Sequence, residues 1–396
     1  MSELSKNGHI FATCPILHKK MNMKPNLLYD RTKPYNKLPL LPPSGNVFDN
    51  DVLLKWGLAS RGLAELNRNI LRLPNPTMLL NTITLQEAKS SSEIENIFTT
   101  EDELYKAISD SVKEAAANPS TKEVLRYREA LWDGFRDIME KGEIDTESII
   151  KIFQKVKNTK EGLRPPQSQV VIKRGNSEFR PGEVIYTPPR GKGLIEEKLE
   201  NLITYLNDNK KDNTDPLLKM VIAHYQFEAI HPFSDGNGRT GRILNLLYLV
   251  NQGLITQPVL YLSKFIIEHK DEYYYNLGMV TQQNSWKGWI LYMLTAVQET
   301  SAYTNQIIDE IINQMQATLD FAKTELKWYN KEINEALFTQ PYIKPKVIGN
   351  ILGRTSRTTL TKYMSELTRL KILTAKEDGK EVYYINNDLV RILNKE

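Results

Sequence analysis

The sequence predicts a mainly α-helical fold that carries a small β-hairpin and ends in a winged-helix domain. Helical patterns of apolar residues recur between residues 50 and 326. Two β-rich runs, 168–173 and 183–189, are separated by Arg-Gly-Asn-Ser and Pro-Gly, which is typical of a hairpin. Residues 346–370 have a helix-turn-helix pattern, and a second hairpin follows around Asp378-Gly379.

The N-terminal arm and the helical region after it differ in composition. Residues 1–48 are proline-rich and weakly patterned, so we expect an arm whose first part is poorly ordered. The helical region is 49–140, and in it Thr84 to Glu87 fits a capping box, which predicts a helix from Thr84 to about Asn96. Glu95 falls in the last turn of that helix, where the helix dipole disfavours a carboxylate, so helix propensity does not explain it.

The central region, residues 141–303, contains the hairpin and a helix that begins at Asp215 and Pro216, typical of an N-cap and a first helical residue. Apolar residues at 217, 218, 221, 222 and 225 continue it at helical spacing. The helix leads into a segment of twelve residues, within which a second helix begins: His231-Pro232-Phe233-Ser234-Asp235-Gly236-Asn237-Gly238-Arg239-Thr240-Gly241-Arg242.

This loop has the composition of a nucleoside triphosphate site. Its glycines allow backbone N–H groups to turn toward an anion at a helix N-terminus. Arg239 and Arg242 share one helix face, from which both can reach one polyphosphate, although such a pair is more often a solvated face. Asp235 is a ligand of the kind that Mg²⁺ accepts beside phosphate. His231 has the ordinary pKa of a base near neutral pH, although a single histidine at a helix end is more often packed than catalytic.

Two common nucleotide-binding patterns do not fit. Residues 236–241 satisfy G-x-G-x-x-G, but a helix precedes them, whereas a dinucleotide-binding turn requires a strand there. The phosphate-loop pattern G-x-x-x-x-G-K-[ST] does not occur in the sequence. His224 fits no metal spacing with His231, so we interpret it as a core or surface histidine.

After the central region we expect a linker, 304–338, and a winged-helix domain, 339–396. The linker contains a long amphipathic helix from Asn305 to Leu326. Residues 341–396 carry 11 Lys and Arg against 6 Asp and Glu. DNA contacts would come from the front of the second tail helix, through Arg354, Arg357, Thr358, Thr359 and Lys362. Winged helices also dock proteins or dimerise, so DNA binding and a homodimer both stay open.

Composition limits the other function classes. The 396 residues include 40% hydrophobic and 25% charged residues, which is enough apolar surface for two or three globular domains. A net charge of +4 is too small to indicate a nucleic-acid or membrane partner for the whole chain. The single cysteine, Cys14, excludes intrachain disulfides. With no run of 18 apolar residues and no clear signal peptide, we expect a cytoplasmic protein without a membrane partner.

On these residues the chain resembles the Fic family, because 231–242 matches HPFx[DE]GNGRxxR at every defined position. The resemblance implies a helical fold whose members transfer AMP from ATP to a target hydroxyl and release pyrophosphate. It implies that His231 deprotonates the target Ser, Thr or Tyr, that Asp235 holds Mg²⁺, and that Phe233 anchors the loop. It also implies a phosphate cradle and two phosphate-binding cations: Gly236, Asn237, Gly238, Arg239 and Arg242.

The same resemblance gives three other segments a role. The segment from Ser91 to Asn96 is similar to the inhibitory motif [ST]xxxE[GN], which implies that Glu95 pairs with Arg242 and displaces the outermost phosphate. The hairpin resembles the flap that aligns a target by edge-strand pairing, through Val171, Ile172, Ile185 and Tyr186. Residues 271–277 resemble the helix that closes the nucleoside pocket, with Tyr274 stacking on adenine, although aromatic residues at this spacing are as often core.

The sequence thus predicts a protein AMP-transferase that is autoinhibited by Glu95, uses ATP with Mg²⁺, and modifies an unidentified target or itself. Two alternatives stay open. One is removal of AMP at the same site, with Glu95 orienting water. The other is an ATP-sensing regulator whose winged helix binds DNA. Related sites can also accept other nucleotides or phosphoesters.

Overall fold

The computed structural model describes residues 29–45, 47–73, 76–109, 115–174, 182–208, 213–353, 356–379 and 381–394. The N-terminal helices are α1 (Asn50–Ile70), α2 (Pro76–Ile94), α3 (Glu101–Ser109), α4 (Pro119–Lys141) and α5 (Thr146–Lys157). The hairpin is formed by β1 (Ile172–Arg174) and β2 (Glu183–Tyr186). It is followed by α6 (Leu194–Asn207), α7 (Pro216–Ile230), α8 (Asn237–Asn251), α9 (Leu262–Glu268), α10 (Lys270–Gln283) and α11 (Trp286–Glu325). The tail contains α12 (Lys331–Leu337), β3 (Tyr342–Ile343), α13 (Pro345–Ile351), α14 (Arg357–Arg369), β4 (Thr374–Asp378), β5 (Glu381–Ile385) and α15 (Asn387–Leu393). The predicted mainly helical fold class is confirmed.

The antiparallel helices α7 and α8 lie at the centre of the bundle, and nearly all of their residues are buried. Apolar residues supply most of this buried surface, and the buried charged residues of α8, Arg239 and Arg242, therefore need partners inside the bundle. The predicted start of α7 is confirmed, since the Asp215 side chain accepts a hydrogen bond from the backbone N–H of Leu217. Helix α11 packs on this centre, where the Trp289 indole N–H donates to the Val221 carbonyl at 2.8 Å.

Helix α2 starts earlier than the capping box predicted. It begins at Pro76, so Thr84 lies inside it. Thr84 and Glu87 are buried. Glu87 does not cap α2: its carboxylate accepts hydrogen bonds from the Ser263 backbone N–H at 2.8 Å and from the Tyr127 hydroxyl at 3.1 Å. The predicted end is close to the observed one, because Asn96 adopts a left-handed conformation with a φ of 62°.

The long helix α11 also starts earlier than predicted. We expected it from Asn305, but it begins at Trp286 and continues without interruption to Glu325. The proposed boundary between residues 303 and 304 therefore falls inside one helix. No proline or glycine occurs between Gly288 and Glu325, and buried residues continue along both halves of the helix.

The tail has the order of elements that the winged-helix prediction requires. Helix α13 is followed by α14, and β4 pairs with β5 from Thr374 opposite Ile385 to Asp378 opposite Glu381. The sheet order is β3-β5-β4. Strand β3 was not predicted, because two residues are too few for a recognisable alternation. Arg354 lies outside the described residues, whereas Arg357, Thr358 and Lys362 are exposed on α14.

The described part of the predicted arm packs on the bundle. Tyr35 and Leu38 are buried, and the Leu38 carbonyl accepts a hydrogen bond from the Lys198 ammonium at 2.7 Å. Residues 1–28, which include Cys14, lie outside the described residues. Within the described ranges, no helix has both the length and the apolar character that crossing a bilayer requires.

Candidate active site

The loop between α7 and α8 is shaped by two residues with positive φ angles. His231 ends α7 with a φ of 51°, and Gly236 precedes α8 with a φ of 76°, a conformation that favours glycine. Phe233 is buried, and its ring stacks on Phe153 with centroids 4.0 Å apart. The loop is thus anchored directly before α8, whose first-turn N–H groups lack partners within the helix and can bind an anion.

Asn237 holds this loop through its side chain. Its amide oxygen accepts from the backbone N–H of Phe233, and its amide nitrogen donates to the Phe233 carbonyl, both at 2.9 Å. The Asn237 side chain therefore fixes the backbone of the loop, and the phosphate cradle of Gly236, Asn237 and Gly238 stays a prediction.

His231 is neutral at physiological pH. Burial and the nearby Arg164 guanidinium lower the pKa of its imidazole to about 4. Arg164 also donates from Nε to the His231 carbonyl at 2.7 Å and from a terminal nitrogen to the Pro189 carbonyl at 2.6 Å. Arg164 therefore fixes the backbone that carries the histidine, a role for which the sequence offers no local signal.

Arg242 is brought together with both residues of the proposed inhibitory motif. Its guanidinium donates from Nε to the Ser91 hydroxyl at 2.7 Å. A terminal nitrogen donates to the Ser91 carbonyl at 2.8 Å and to the Glu95 carboxylate at 2.9 Å. Any side chain larger than hydrogen at Gly238 would collide with the Glu95 carboxylate and the Arg242 guanidinium. The Glu95 carboxylate therefore lies against the first turn of α8.

Two residues that were not predicted from the sequence, Glu123 and Lys157, form ion pairs with Arg239 and Asp235. Arg239 is buried and donates to the Glu123 carboxylate at 2.5 Å. The Lys157 ammonium lies 2.6 Å from the Asp235 carboxylate. Burial raises the pKa of Asp235, but the hydrogen bond and charge of Lys157 outweigh it and lower the pKa. Glu123 and Lys157 come from α4 and α5, far from the loop in sequence, so only the fold identifies them.

The surroundings of Asp235 limit how Mg²⁺ could bind. No group of three or more His, Cys, Asp and Glu side chains suited to a metal occurs among the described residues. Mg²⁺ commonly binds through one or two carboxylates together with substrate phosphates and water. Asp235 is exposed and fits this mode if Lys157 releases it. The residues present therefore fit Mg²⁺ only in company with a phosphate-bearing substrate.

The hairpin residues that were predicted to face a target differ in their surroundings. Ile172 in β1 pairs with Tyr186 in β2, whereas Val171 precedes β1 and is exposed. Tyr186 is buried and its hydroxyl donates to the Ala229 carbonyl at 2.7 Å, so it anchors the hairpin and is not placed to face a target. Ile172 lies directly opposite Tyr186, so these two side chains share one face of the hairpin, whereas strand alternation places Ile185 on the other face. The target-facing role of Val171, Ile172 and Ile185 stays a prediction.

A pocket of about 370 Å³ lies between the hairpin, α7 and α10. Tyr274 lines it and also lines an adjoining cleft of about 800 Å³ that reaches Glu95. Burial raises the pKa of Tyr274 to about 12. Arg174 and Asp271 form an ion pair of 2.7 Å between the hairpin and α10. The position of Tyr274 is compatible with stacking on a base, which stays a prediction.

His224 is a core residue. Its Nε2 lies 2.9 Å from the Tyr273 hydroxyl, its ring stacks on Trp289, and burial lowers its pKa to about 3. The sequence left a core or a surface position open for His224, and the structure shows the core position.

Three family models match this chain. The Fic/DOC family N-terminal model matches residues 53–136, and the Fic/DOC family model matches residues 121–249. The second match includes the loop, His231 and both arginines, and the chain belongs to the Fic family. A third model, the C-terminal domain of SoFic-like protein adenylyltransferase, matches residues 308–389 and places the chain among the members with this tail.

The relatives that the chain resembles are described as protein adenylyltransferases. It is 36% identical over 89 residues to protein adenylyltransferase fic-1 of Caenorhabditis elegans, covering 22% of this chain and 16% of that protein. It is 29% identical over 191 residues to probable protein adenylyltransferase aq_aa38 of Aquifex aeolicus, covering 47% of this chain and 54% of that protein. The chain therefore spans about half, or less, of the length of these relatives.

A solved structure supports the fold. A Fic family protein from Desulfovibrio desulfuricans G20 superposes with a TM-score of 0.54 at 18% identity, covering 87% of this chain and 98% of that chain. The likeness extends over nearly the whole of both chains, and at this identity it bears on the fold alone.

Proposed function

We propose that the chain is a protein AMP-transferase that moves AMP from ATP to a hydroxyl group of a target, and that Glu95 holds it in a low-activity state. The observation that carries the proposal is the bonding of Arg242 to Glu95 at the first turn of α8. A helix N-terminus and a buried arginine together favour an anion such as an outer phosphate. The Glu95 carboxylate takes the place of that anion, so a phosphate must displace it to reach Arg242.

The residues of the site support a balanced transfer reaction. Neutral His231 accepts the proton of the target hydroxyl. The hydroxyl oxygen bonds to the α-phosphorus of ATP, the bond from that phosphorus to the bridging oxygen breaks, and pyrophosphate leaves. Arg239 and Arg242 would hold the negative charge of the leaving group, and the backbone of Gly236 and Gly238 would position the phosphates.

Asp235 would hold Mg²⁺ beside the phosphate oxygens once Lys157 has moved away. When bound, Mg²⁺ would neutralise part of the phosphate charge. Lys157 itself then becomes available for the phosphates or for Glu123, from which its ammonium is 3.6 Å away.

The proposal is tested by incubating the protein with ATP and Mg²⁺ and measuring its intact mass for self-modification. We compare the wild type, Glu95→Gly and the double variant Glu95→Gly with His231→Ala. Glu93→Gly is the matched control, because Glu93 lies in the last turn of the same helix and bonds Lys89 instead of Arg242. We expect an added AMP mainly in Glu95→Gly, and a rate about 10²–10⁴-fold lower in the double variant.

Each part of the proposal can fail separately in this experiment. Equal modification of the wild type and Glu95→Gly would contradict inhibition by Glu95. Modification that persists at the same rate without His231 would contradict its role as the base. If ATP binds but no variant gains mass, self-modification is wrong.

Removal of AMP is a second candidate, because Glu95 is partly exposed and lines the cleft beside the loop, where it could orient water. Starting from AMP-modified protein, Glu95→Gly would then lose removal while it gains transfer.

For the tail, we propose that the exposed front of α14 recruits DNA or a protein partner.

A further inference from the structure

Glu228 has a buried carboxyl oxygen for which the described residues supply no hydrogen-bond partner. It lies in the last turn of α7, three residues before His231. Its Oε1 atom is buried and makes no hydrogen bond to the residues that the structure describes. An unsatisfied buried polar atom costs about 1–3 kcal/mol. A polar group kept in this state next to a catalytic loop therefore points to a partner from outside the chain.

The backbone next to Glu228 makes room for its carboxyl group. A side chain at Gly241 would come within 2.7 Å of Glu228 Oε1 and 2.9 Å of a Phe227 ring carbon. The Arg242 guanidinium, whose charge acts on the Glu228 carboxyl, is already bound to Ser91 and Glu95. Burial raises the pKa of Glu228 to about 7, Arg242 opposes this rise and Glu95 adds to it. Near neutral pH the carboxyl group can therefore accept a hydrogen bond in either of its protonation states.

Glu228 faces the pocket described above. It lines the cavity of about 370 Å³ together with Tyr274, Tyr225 and Thr281. The rest of the lining is largely apolar, including Ile172 and Ile185 of the hairpin. Apolar walls with a small number of polar groups are typical of a site that encloses a flat organic ligand and fixes its orientation.

We propose that Glu228 is a specificity-determining residue that recognises the nucleoside through a hydrogen bond from an N–H or O–H group of the base or ribose. The inference rests on the proposed function, in which ATP occupies this site. The triphosphate lies on the first turn of α8, and the nucleoside extends into the pocket beside Tyr274. Glu228 stands between these two parts, since it lines the pocket and its Oε1 atom occupies the space that a side chain at Gly241 of α8 would need.

The test measures equilibrium binding by calorimetry, without turnover. Wild type, Glu228→Gln and Glu228→Leu are titrated with ATP and with three analogues: purine riboside triphosphate, which lacks the exocyclic amine, 2′-deoxy-ATP and 3′-deoxy-ATP. Glu272→Leu is the matched control, because Glu272 is an exposed carboxylate on the adjoining cleft. Glu228→Leu should stay folded, since it replaces an unsatisfied buried carboxyl with an apolar group, and its Tm checks this.

We expect Glu228→Leu to bind ATP about tenfold more weakly than the wild type, and Glu228→Gln, which keeps an acceptor oxygen, to lose less. In the wild type, one analogue should bind about tenfold more weakly than ATP. In Glu228→Leu, the same analogue and ATP should bind equally well. The group that this analogue lacks is then the group that Glu228 recognises. If Glu228→Leu binds ATP like the wild type, or keeps the full preference for ATP over every analogue, the inference is wrong. Failure of both the wild type and Glu95→Gly to bind ATP would instead overturn the proposed function.

Discussion

Two of the contacts between the N-terminal helices and the rest of the molecule differ in how far water reaches them. At the candidate active site, α2 contacts α8 through Arg242, whose side chain is only 1% exposed. At the tail, α3 contacts the winged-helix sheet through Asp102 and Lys376, whose side chains are 38% and 46% exposed. Lys106 adds ion pairs to Asp102 at 2.9 Å and Asp378 at 3.1 Å.

The difference in exposure predicts a difference in strength. Removing one partner of a buried charge leaves the other without compensation, which is strongly destabilising. Exposed ion pairs contribute about 0–1 kcal/mol each and weaken with salt. The charged contact at Arg242 is therefore firmer than the ion pairs at the tail, where the buried rings of Tyr105 and Tyr342, with centroids 5.7 Å apart, add an apolar contact.

The largest effect should follow from Glu87→Ala. Glu87 is buried in α2 and accepts hydrogen bonds from α4 and from Ser263 at α9. The substitution leaves several buried donors unsatisfied, so we expect the free energy of unfolding to fall by about 3 kcal/mol. Glu93→Ala on the same helix, which removes only a partly exposed pair with Lys89, should cost less than about 1 kcal/mol. Urea denaturation of both variants checks this, and equal losses would contradict the distinction between buried and exposed contacts.

A smaller effect is expected for Ser91→Ala, which removes the acceptor of the Arg242 Nε hydrogen bond. The unfolding free energy should fall by about 1–2 kcal/mol, because a buried charged donor loses its partner. If Glu95 inhibits, AMP transfer should also rise, but by less than in Glu95→Gly. Ser92→Ala is the control: the Ser92 hydroxyl is buried and makes no hydrogen bond to the described residues, so its loss should change little. A larger loss in Ser92→Ala than in Ser91→Ala would show that Ser91 does not hold Arg242.

The sequence could predict the residues of the active site that lie in one continuous segment. His231, Arg239 and Arg242 follow from the spacing of twelve residues, and the left-handed end of α2 at Asn96 follows from a local preference. The contact between Glu95 and Arg242 was accessible only through the family resemblance, because 147 positions separate the two residues.

Residues whose role depends on tertiary packing could not be predicted in this way. Lys157, Glu123 and Arg164 reach the loop from other elements, and nothing in their local sequence distinguishes them from surface charges. For Thr84 and Glu87 the opposite happened, because the sequence predicted a capping role that the structure does not show. Their spacing fits a capping box, but burial against α4 and α9 decides their role, and a local pattern contains no information about burial.

The smallest effect should come from Asp102→Asn at the tail contact. Asp102 accepts a hydrogen bond from Lys376 at 2.7 Å and is paired with Lys106. Partial burial raises its pKa, but Lys376, Tyr342 and Lys106 together lower it below the ordinary value of 3.8. A lowered carboxyl pKa stabilises the fold above the unfolded-state pKa, and this contribution is lost as the pH falls through the folded-state pKa.

The variant should therefore lose less than about 1 kcal/mol of unfolding free energy at neutral pH and low salt. The difference from the wild type should disappear in about 1 M salt, where the Debye length is about 3 Å, and at acid pH.

Hydrogen exchange of residues 101–109 and 374–385 in both proteins measures the contact directly, and exchange in residues 84–94 should not change with salt. If salt instead opened α2 as readily as α3, the contact at Arg242 would be no firmer than the one at the tail. A change of exchange in α2 on Asp102→Asn would show that the tail contact and the cover of the phosphate site are coupled.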